Sequence, residues 1–358
     1  MELKYFFSDL KVVELAAVLA GPSVGMFFAE LGAEVIKVEN KATEGDMTRR
    51  WRNPKESTTS SISSYYSSVN FYKKSIFIDL TDPIEREKVH QLIANADIVI
   101  ANFKPGSAEK LQMDYPFLKS LNPSLIYAQI NGMADGRPAF DVVLQAEAGF
   151  ISMTGEKEGQ YAKMPVALID LLAAHQLKEA ILMALLHKLK TGKGAKLEVS
   201  LMDAGLASLA NQATNWLMSG FLPQPIGTKH PNIAPYGDVF YSKDKVPFVL
   251  AVGTENQWKA LCTLFSDKEK WIDIANNQRV KKRDRIVLQC QSVFSDYDAL
   301  ELFELFKSKK IPFGKIKNLD EVFQSDSAQS LLIKEEQEGV NKVGVKSVVF
   351  SIKTSSEV

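Results

Sequence analysis

Short apolar runs alternate with amphipathic segments through the first half of the chain, and this alternation is the main structural signal in the sequence. The apolar runs predict strands at Lys11–Leu15, Glu34–Val38, Ser75–Leu80, Asp97–Asn102 and Leu125–Ile130. Helical spacing between them predicts helices at Ser23–Leu31 and Ile84–Ala96, and a helical piece around Glu109–Leu121. Strands that alternate with helices are typical of βαβ units. We therefore expect an α/β fold whose large domain holds a Rossmann-like open parallel sheet.

The longest helical pattern covers Leu171–Lys190 and is apolar on nearly every face, so we expect this helix to be buried. Lys196–Leu201 follows as a further strand. Asp170 stands where an N-cap residue belongs, and an aspartate there is most often only a cap. A helix N-terminus can also hold a carboxylate ionised for nucleophilic attack. The position alone leaves both interpretations open.

The pattern changes after residue 226, where a predicted hairpin of Val239–Tyr241 and Phe248–Val252 precedes further amphipathic helices. A chain of 358 residues is long enough for about two domains. We predict a large domain at 1–201, a connector at 202–226 and a smaller α+β domain at 227–329. The C-terminal segment 330–358 ends in short β-like pieces, and we expect it to complete the large domain.

Composition narrows the class of protein. Hydrophobic residues make up 46% of the chain and charged residues 24%, and 43 basic residues balance 43 acidic ones. This balance is typical of a globular protein and argues against a nucleic-acid binder. No apolar run approaches the length of a membrane span, and the two cysteines have no metal-ligand or disulfide spacing. We predict a cytoplasmic protein without a metal that acts on neither membranes nor nucleic acids.

Basic residues cluster after the predicted strands, where open α/β sheets bind their ligands. They are Lys37, Arg49, Arg50, Lys73, Lys74, Lys104, Lys110 and Arg137. Cations at this edge could take up the phosphates of a nucleotide-like cofactor. No G-x-G-x-x-G motif follows the first strand and no Walker A motif occurs, so we predict neither a nicotinamide or flavin enzyme nor a P-loop enzyme.

Two glycine-containing segments have more than one interpretation. Gly21–Gly25 matches the G-x-S-x-G nucleophile elbow of serine hydrolases, but no histidine has an identifiable partnership with Ser23. The alternative is a turn that packs closely against a neighbour or a ligand. Gly253 follows the predicted strand Phe248–Val252, and it is either an ordinary turn residue or part of a mobile flap over a site.

Several segments in their order and spacing resemble the class III CoA-transferase family, which includes formyl-CoA transferase, carnitine CoA-transferase and α-methylacyl-CoA racemase. Val18–Pro22 and Leu31–Glu39 match the opening signature of the family. Asn102–Gly106, Thr191–Gly194 and His230–Tyr236 match later motifs. The resemblance extends over nearly the whole chain.

The resemblance implies a Rossmann-like domain plus a small domain in each chain, and an interlocked homodimer of two chains. It implies that CoA moves from an acyl-CoA donor to a carboxylic acid acceptor, through an aspartyl anhydride and an aspartyl-CoA thioester. Asp170 matches the catalytic aspartate, Asp141 and Glu255 match acidic residues near the site, and Gly253 is the candidate flap glycine. The positions assigned to CoA binding are Val18, Leu19, Ala20, Lys73, Lys74, Asn102, Phe103, Lys104, Lys110 and Arg137.

Phe140 bears on the choice within this family. Racemases place a histidine just before the aspartate that Asp141 matches, and phenylalanine cannot exchange a proton. Because two-base proton transfer needs a titratable group on each face of the α-carbon, CoA transfer is favoured. Glu255 resembles an acidic residue of racemases, so a racemase or epimerase stays an alternative. A non-catalytic CoA-binding relative and an unrelated α/β hydrolase are the others.

Overall fold

The computed structural model describes residues 3–133, 135–157 and 159–353. Residues 1–2 and 354–358, at the ends of the predicted large domain, lie outside the described residues, as do positions 134 and 158. Among the described residues the chain forms two compact units. Unit 1 comprises Met1–Gly149, Met164–Ala210 and Ser327–Val358, and unit 2 comprises Phe150–Lys163 and Asn211–Asp326.

A six-stranded sheet forms the centre of unit 1. Its strands are β1 (Lys11–Leu15), β2 (Glu34–Asn40), β3 (Lys74–Ile78), β4 (Ile98–Ala101), β5 (Ile126–Asn131) and β6 (Ala195–Ser200). All five pairings are parallel, and the strand order is β3-β2-β1-β4-β5-β6. This is the strand order of dinucleotide-binding folds, so the predicted open parallel sheet is confirmed.

The central strands β1 and β4 are apolar apart from Lys11 and Glu14 of β1, because both faces of the sheet are covered. Every residue of β4 is buried, and so is every residue of β1 after Lys11. Such strands have continuous apolar runs rather than alternating ones. The order of the strands reverses between β1 and β4, and ligands of open α/β sheets bind at this switch point, outside the carboxyl ends of the strands.

Helices of different lengths connect or follow the strands of unit 1. They are α1 (Ala20–Glu30), α2 (Ser64–Ser67), α3 (Pro83–Ala94), α4 (Ser107–Lys110), α5 (Tyr115–Leu121), α6 (Asp141–Glu147), α7 (Leu168–Thr191) and α8 (Leu201–Ala207). The start of α3 shows how the sequence sets a boundary. Asp82 accepts a hydrogen bond from the Ile84 amide at 2.8 Å, and Pro83 occupies the first turn.

The long helix α7 is buried on one side only. Ile169, Ala173 and Leu177 are fully buried, whereas Met183 is 72% and Leu189 83% exposed. The expectation that this helix is buried all round is therefore wrong for the single chain. An apolar residue is buried only where another element covers it, and no described element covers this side of α7.

A C-terminal hairpin belongs to unit 1. It follows the short helix α15 (Asp326–Gln329) and pairs β10 (Leu332–Gln337) with β11 (Val340–Val345) in antiparallel fashion. The Lys342 ammonium donates to the carbonyl of Asn70 at 2.8 Å, and Glu338 forms an ion pair with Arg49 at 3.1 Å. These contacts hold the hairpin on the loop before β3.

Unit 2 contains a three-stranded antiparallel sheet of β7 (Tyr236–Tyr241), β8 (Pro247–Ala251) and β9 (Phe313–Lys315). The predicted hairpin is thus present. The helices of unit 2 are α9 (Ala210–Ser219), α10 (Glu255–Cys262), α11 (Asn276–Lys281), α12 (Arg283–Phe294), α13 (Ala299–Ser308) and α14 (Leu319–Phe323). Phe240, Phe248, Trp258 and Phe294 are all fully buried in its core. Phe150–Lys163, which sequence patterns did not assign to this unit, joins it through a Gly227–Gly155 backbone hydrogen bond of 2.7 Å.

Within the described ranges, none of the helices is both long and apolar enough to cross a bilayer.

Candidate active site

Asp170 lies inside the first turn of α7, as its third residue, and is 7% exposed. The N-cap of the helix is Ala167, which makes no capping hydrogen bond through its side chain. The expectation that Asp170 is the N-cap is therefore wrong. The carboxyl group does not serve the helix end, so the cap interpretation of this residue loses its basis.

The surroundings of Asp170 make it a weak acid. Burial, followed by the negative charge of Asp141, raises the pKa of Asp170 from its ordinary value of 3.8 to about 7. A first-turn position favours a carboxylate by only about 0.3–1 kcal/mol. The shift in pKa corresponds to roughly 4 kcal/mol, so burial and charge repulsion outweigh the helix dipole.

Asp141 begins α6 and ties the start of α7 to it. Its Oδ1 accepts a hydrogen bond from the backbone amide of Ile169 at 2.8 Å, and its Oδ2 accepts one from Gln145 Nε2 at 2.7 Å. Gln145 is fully buried, and its Oε1 accepts the backbone amide of Met164 at 2.9 Å. The segment leading to Asp170 is thereby fixed against α6.

Three aromatic side chains lie beside the two aspartates. The ring of Trp51 is 5.0 Å from that of Tyr65 and 6.4 Å from that of Phe140. Burial and the charges of Asp170 and Asp141 raise the pKa of the Tyr65 hydroxyl, so this phenol stays protonated near the carboxylates. Sequence reasoning missed Trp51 and Tyr65. The available signal was their place in a mainly polar stretch of the sequence, where a large aromatic residue needs a partner.

The loop after β1 lies at the switch point of the sheet and, with the first residue of α1, contains the predicted CoA-binding positions Val18, Leu19 and Ala20. Asn102 follows β4 directly and clamps this loop: its Oδ1 accepts the Ala17 amide at 3.1 Å, and its Nδ2 donates to the Ala17 carbonyl at 2.9 Å. Ala20 begins α1, whose N-cap Leu19 leaves the first amides of the helix uncapped by a side chain.

Two adjacent lysines at the start of β3, Lys73 just before the strand and Lys74 as its first residue, have different surroundings. The side chain of Lys73 is buried and ion-paired with Glu14 at 2.8 Å. The side chain of Lys74 is 74% exposed and pairs with Glu34 at 3.0 Å. The contact of either lysine with CoA stays a prediction, and the Lys73 ammonium already has partners inside the protein.

The remaining predicted CoA positions of unit 1 lie after β4 and before α6. Phe103 packs partly buried against the core, and Lys104 and Lys110 are exposed. The side chain of Arg137 is 55% exposed and forms ion pairs with Asp135 at 2.6 Å and Glu147 at 3.0 Å. A cavity of about 80 Å³ next to Lys104 is also lined by Tyr127, Gln129 and Lys196. The buried hydroxyl of Tyr127 has no hydrogen-bond partner among the described residues.

Gly253 and Glu255 belong to unit 2. Gly253 donates its amide hydrogen to Gln257 Oε1 at 2.9 Å, next to the Thr254–Gln257 capping box that starts α10. The Glu255 carboxylate receives two hydrogen bonds from the buried Arg279, at 3.0 and 2.7 Å. This interaction lowers the pKa of Glu255. The flap role of Gly253 and the site role of Glu255 stay predictions.

Packing accounts for the G-x-S-x-G motif. A Cβ atom on Gly21 would overlap the Cβ of Ala16, and one on Gly25 would overlap the carboxylate of Glu14. Ser23 is 7% exposed, and its hydroxyl has no hydrogen-bond partner in the part of the chain that the structure describes. A nucleophile elbow presents an exposed serine to its base, whereas Ser23 is buried in the first turn of α1. The motif is therefore a close-packed start of this helix, and the expectation of a separate turn is wrong.

No group of three metal-ligating side chains occurs among the described residues.

Comparison with known proteins gives consistent matches over the whole fold. The family described as CoA-transferase family III matches residues 7–357. The chain is 34% identical to a succinate–glutarate CoA-transferase of Agrobacterium fabrum, over 97% of this chain and 90% of that protein. It is 31% identical to the human succinyl-CoA:glutarate CoA-transferase, over 94% of this chain and 78% of that protein. A CaiB/BaiF family protein from Brucella suis has a similar structure, with a TM-score of 0.80, 35% identity and coverage of 96% and 92% of the two chains.

Proposed function

Because the chain belongs to the class III CoA-transferase family, we propose that Asp170 is the residue through which it moves CoA from an acyl-CoA donor to a carboxylic acid. The observation that carries this proposal is a buried carboxyl group with a pKa of about 7 in the first turn of α7. Once ionised, a weakly acidic carboxylate is a better nucleophile than an ordinary one. Burial also protects an acyl intermediate from water.

The reaction proceeds in four steps that conserve atoms and need no redox partner. A carboxylate oxygen of Asp170 attacks the thioester carbonyl, the C–S bond breaks, and CoA thiolate leaves a mixed anhydride. The thiolate attacks the aspartyl carbonyl and releases the donor acid as a carboxylate, which leaves an aspartyl-CoA thioester. The acceptor carboxylate then displaces the thiolate to form a second anhydride. The thiolate finally attacks the acceptor's acyl carbon and frees Asp170.

The carboxylate pair sets the conditions for this chemistry. Asp141 keeps its two hydrogen bonds and stays a fixed negative charge beside Asp170. The protonated hydroxyl of Tyr65 is the donor that we assign to the developing oxyanion. Gly253 is the backbone position that we assign to a flap which limits water at the site, and Glu255 is assigned to the support of that segment through Arg279.

The CoA moiety is proposed to bind at the switch point of the sheet. The backbone of Val18, Leu19 and Ala20 would receive it there, beside Asn102 and Phe103. Lys104 and Lys110 are exposed cations next to this edge and are assigned to the CoA phosphates.

We propose a dicarboxylic acid as the acceptor, because the two CoA-transferases compared above are named for succinate and glutarate. The racemase alternative is disfavoured by Phe140, which has no proton to exchange at a position next to Asp141. A homodimer is proposed as well, since the exposed apolar residues of α7, Met183, Leu186 and Leu189, need a cover.

The test is a transfer assay with purified protein, succinyl-CoA as donor, and a panel of mono- and dicarboxylic acids as acceptors. Formation of each acceptor's CoA thioester is followed by chromatography and mass spectrometry. We expect transfer to glutarate or another dicarboxylic acid, and no transfer by the Asp170→Asn variant. Succinyl-CoA consumption that yields only free CoA and succinate would identify a hydrolase instead.

A further inference from the structure

The loop between β1 and α1 has a backbone conformation that its sequence disfavours. Val18 has φ +73°, in the left-handed region. A β-branched residue is a genuine outlier there, and such strain persists only where the surrounding structure imposes it. Strain of this kind clusters at ligand-binding positions. The surroundings of Val18 should therefore contain the groups that hold it.

Two polar side chains hold this loop directly. Asn102 makes two hydrogen bonds to the peptide groups of Ala17, and Asp46 accepts the Val18 amide through Oδ2 at 3.0 Å. Asp46 is 5% exposed. Its Oδ1 accepts two hydrogen bonds from Thr48, so both carboxylate oxygens are fixed in place.

A buried ion network lies behind these contacts. Glu14, which is fully buried, accepts from Lys37 at 2.9 Å and from Lys73 at 2.8 Å. Lys37 also donates to the Ala16 carbonyl at 2.8 Å and lies 3.2 Å from Asp46 Oδ2. The network thus reaches the loop at Ala16, through Lys37, and at Val18 itself, through Asp46. Two cations and two anions balance one another, as buried charges require.

Lys73 connects this network to the start of α1. Besides Glu14, its ammonium donates to the Pro22 carbonyl at 2.8 Å and to Asn70 Oδ1 at 2.9 Å. All three donors of the ammonium are therefore used. Burial lowers the pKa of Lys73 to about 8, although the charge of Glu14 opposes this, and the side chain stays protonated at neutral pH. A phosphate contact would require Lys73 to leave these partners.

We propose that the buried ions Glu14, Lys37, Lys73 and Asp46 form a positioning network that holds the Ala17–Leu19 loop in the strained conformation that receives CoA. Lys73 and Lys37 are positioning residues in this account, and neither contacts the CoA phosphates. The inference rests on the proposed function, because the ligand of the loop is CoA. The new element is that the affinity for CoA depends on buried charges that do not contact the ligand, because these charges pre-organise the loop.

The experiment starts from a charge-balanced variant, Glu14→Gln with Lys73→Met. The pair of Lys37 and Asp46 stays intact, so no buried charge is left alone. The Kd for CoA is measured by calorimetry on the full chain. We expect Kd to rise at least tenfold, which corresponds to about 1.4 kcal/mol. A matched control is Glu304→Gln with Lys307→Met, which removes an exposed Lys–Glu pair of unit 2 and should change Kd less than twofold.

Val18→Gly identifies the mechanism of the loss. Glycine takes positive φ values without strain, so it should let the loop keep its shape without the network. Val18→Gly is introduced into both the charge-balanced variant and the wild type, and the fold-change in Kd for CoA is compared. We expect the improvement in affinity to be at least three times larger in the charge-balanced variant than in the wild type. A phosphate contact that has been lost cannot be restored by a substitution at Val18. Unchanged affinity in the charge-balanced variant, or a loss without this rescue, would overturn the inference.

These outcomes are separable from a failure of the proposed function. The affinity for CoA is measured without turnover, so a wild type that binds CoA and transfers nothing removes the function and leaves the network testable. A wild type that transfers CoA, together with a charge-balanced variant of equal affinity, removes the network alone.

Discussion

Asp141 accepts the backbone amide of Ile169 at 2.8 Å, one residue before Asp170. This hydrogen bond holds the carboxylate of Asp141 beside the proposed nucleophile, and its donor is a backbone amide of the helix that contains Asp170. Burial raises the pKa of Asp170, and the charge of Asp141 raises it further. The arrangement produces a carboxyl group that titrates near neutral pH, and several measurable consequences depend on that titration.

The pH dependence of transfer should follow the ionisation of Asp170. Below its pKa the carboxyl group is protonated and cannot attack, so kcat/KM should rise with pH around a midpoint near 7. Asp141→Asn removes the neighbouring charge and should move this midpoint down by about 1 pH unit. The profile is measured from pH 5 to 9. Glu147→Gln, on the same helix, is the control and should leave the midpoint in place. A profile unchanged in Asp141→Asn would contradict the account.

The raised pKa also affects stability, with a sign that can be worked out. The folded chain holds the Asp170 proton up to a pH of about 7, whereas the unfolded chain releases it near 3.8. The folded state therefore binds more protons across this interval, and stability falls as the pH rises through it. Above pH 7 the deficit is on the order of 2–4 kcal/mol.

Urea unfolding of Asp170→Asn and wild type at pH 4 and pH 8 measures this deficit. The wild type should lose stability from pH 4 to pH 8 through Asp170, and the variant should not. The free energy of unfolding of the variant, minus that of the wild type, should therefore be larger at pH 8 than at pH 4. Effects of the substitution that do not depend on pH cancel in this comparison. An equal difference in the free energy of unfolding between variant and wild type at pH 4 and pH 8 would mean that Asp170 has an ordinary pKa.

The sequence predicted the sheet well because its strands are local and strongly apolar. Lys11–Leu15 has the bounds of β1, and the alternation of strands and helices leads directly to the parallel order. Long-range features escaped prediction. The N-cap of α7 is Ala167, a residue with no capping group, so cap preferences pointed to Asp170 instead. The contacts of Trp51 with Tyr65 and with Phe140 depend on long-range packing that no short-range pattern encodes.

The exposed side of α7 shows another limit of prediction from the sequence. Met183 and Leu189 continue the apolar pattern of the helix, yet their side chains are exposed in the single chain. Periodicity in the sequence identifies an apolar face of a helix, but it does not identify the element that covers this face. For the same reason the number of buried charges around Glu14 could not be foreseen, since Lys37 and Lys73 look like surface residues in the sequence.

Glu255→Gln should affect stability more than catalysis. Arg279 is 1% exposed and would lose a bidentate charged partner, while its bonds to Ala234 and Ile274 carbonyls remain. We expect a loss of about 1 kcal/mol in the free energy of unfolding, because water already screens the half-exposed carboxylate. Thermal unfolding and kcat are measured side by side. A kcat that falls more than tenfold with unchanged stability would place Glu255 in direct contact with the reacting groups.

Proton exchange at the α-carbon separates transfer from racemisation. The wild type is incubated in heavy water with an α-methylacyl-CoA for as long as CoA transfer takes to reach completion. We expect no deuterium at the α-carbon after this time, because Phe140 offers no base. Phe140→His tests whether a base at this position is sufficient for exchange, and Phe140→Leu is the matched control. Deuterium incorporation by the wild type at a rate comparable with transfer would instead favour the racemase alternative.

Trapping the acyl intermediate tests the central claim most directly. The protein is incubated with succinyl-CoA and no acceptor, quenched with hydroxylamine, digested, and analysed by peptide mass spectrometry. The account predicts a hydroxamate on Asp170, absent without donor and absent from Asp170→Asn, with every other carboxyl group unmodified. Modification of a different residue, or efficient CoA transfer by Asp170→Asn, would contradict it.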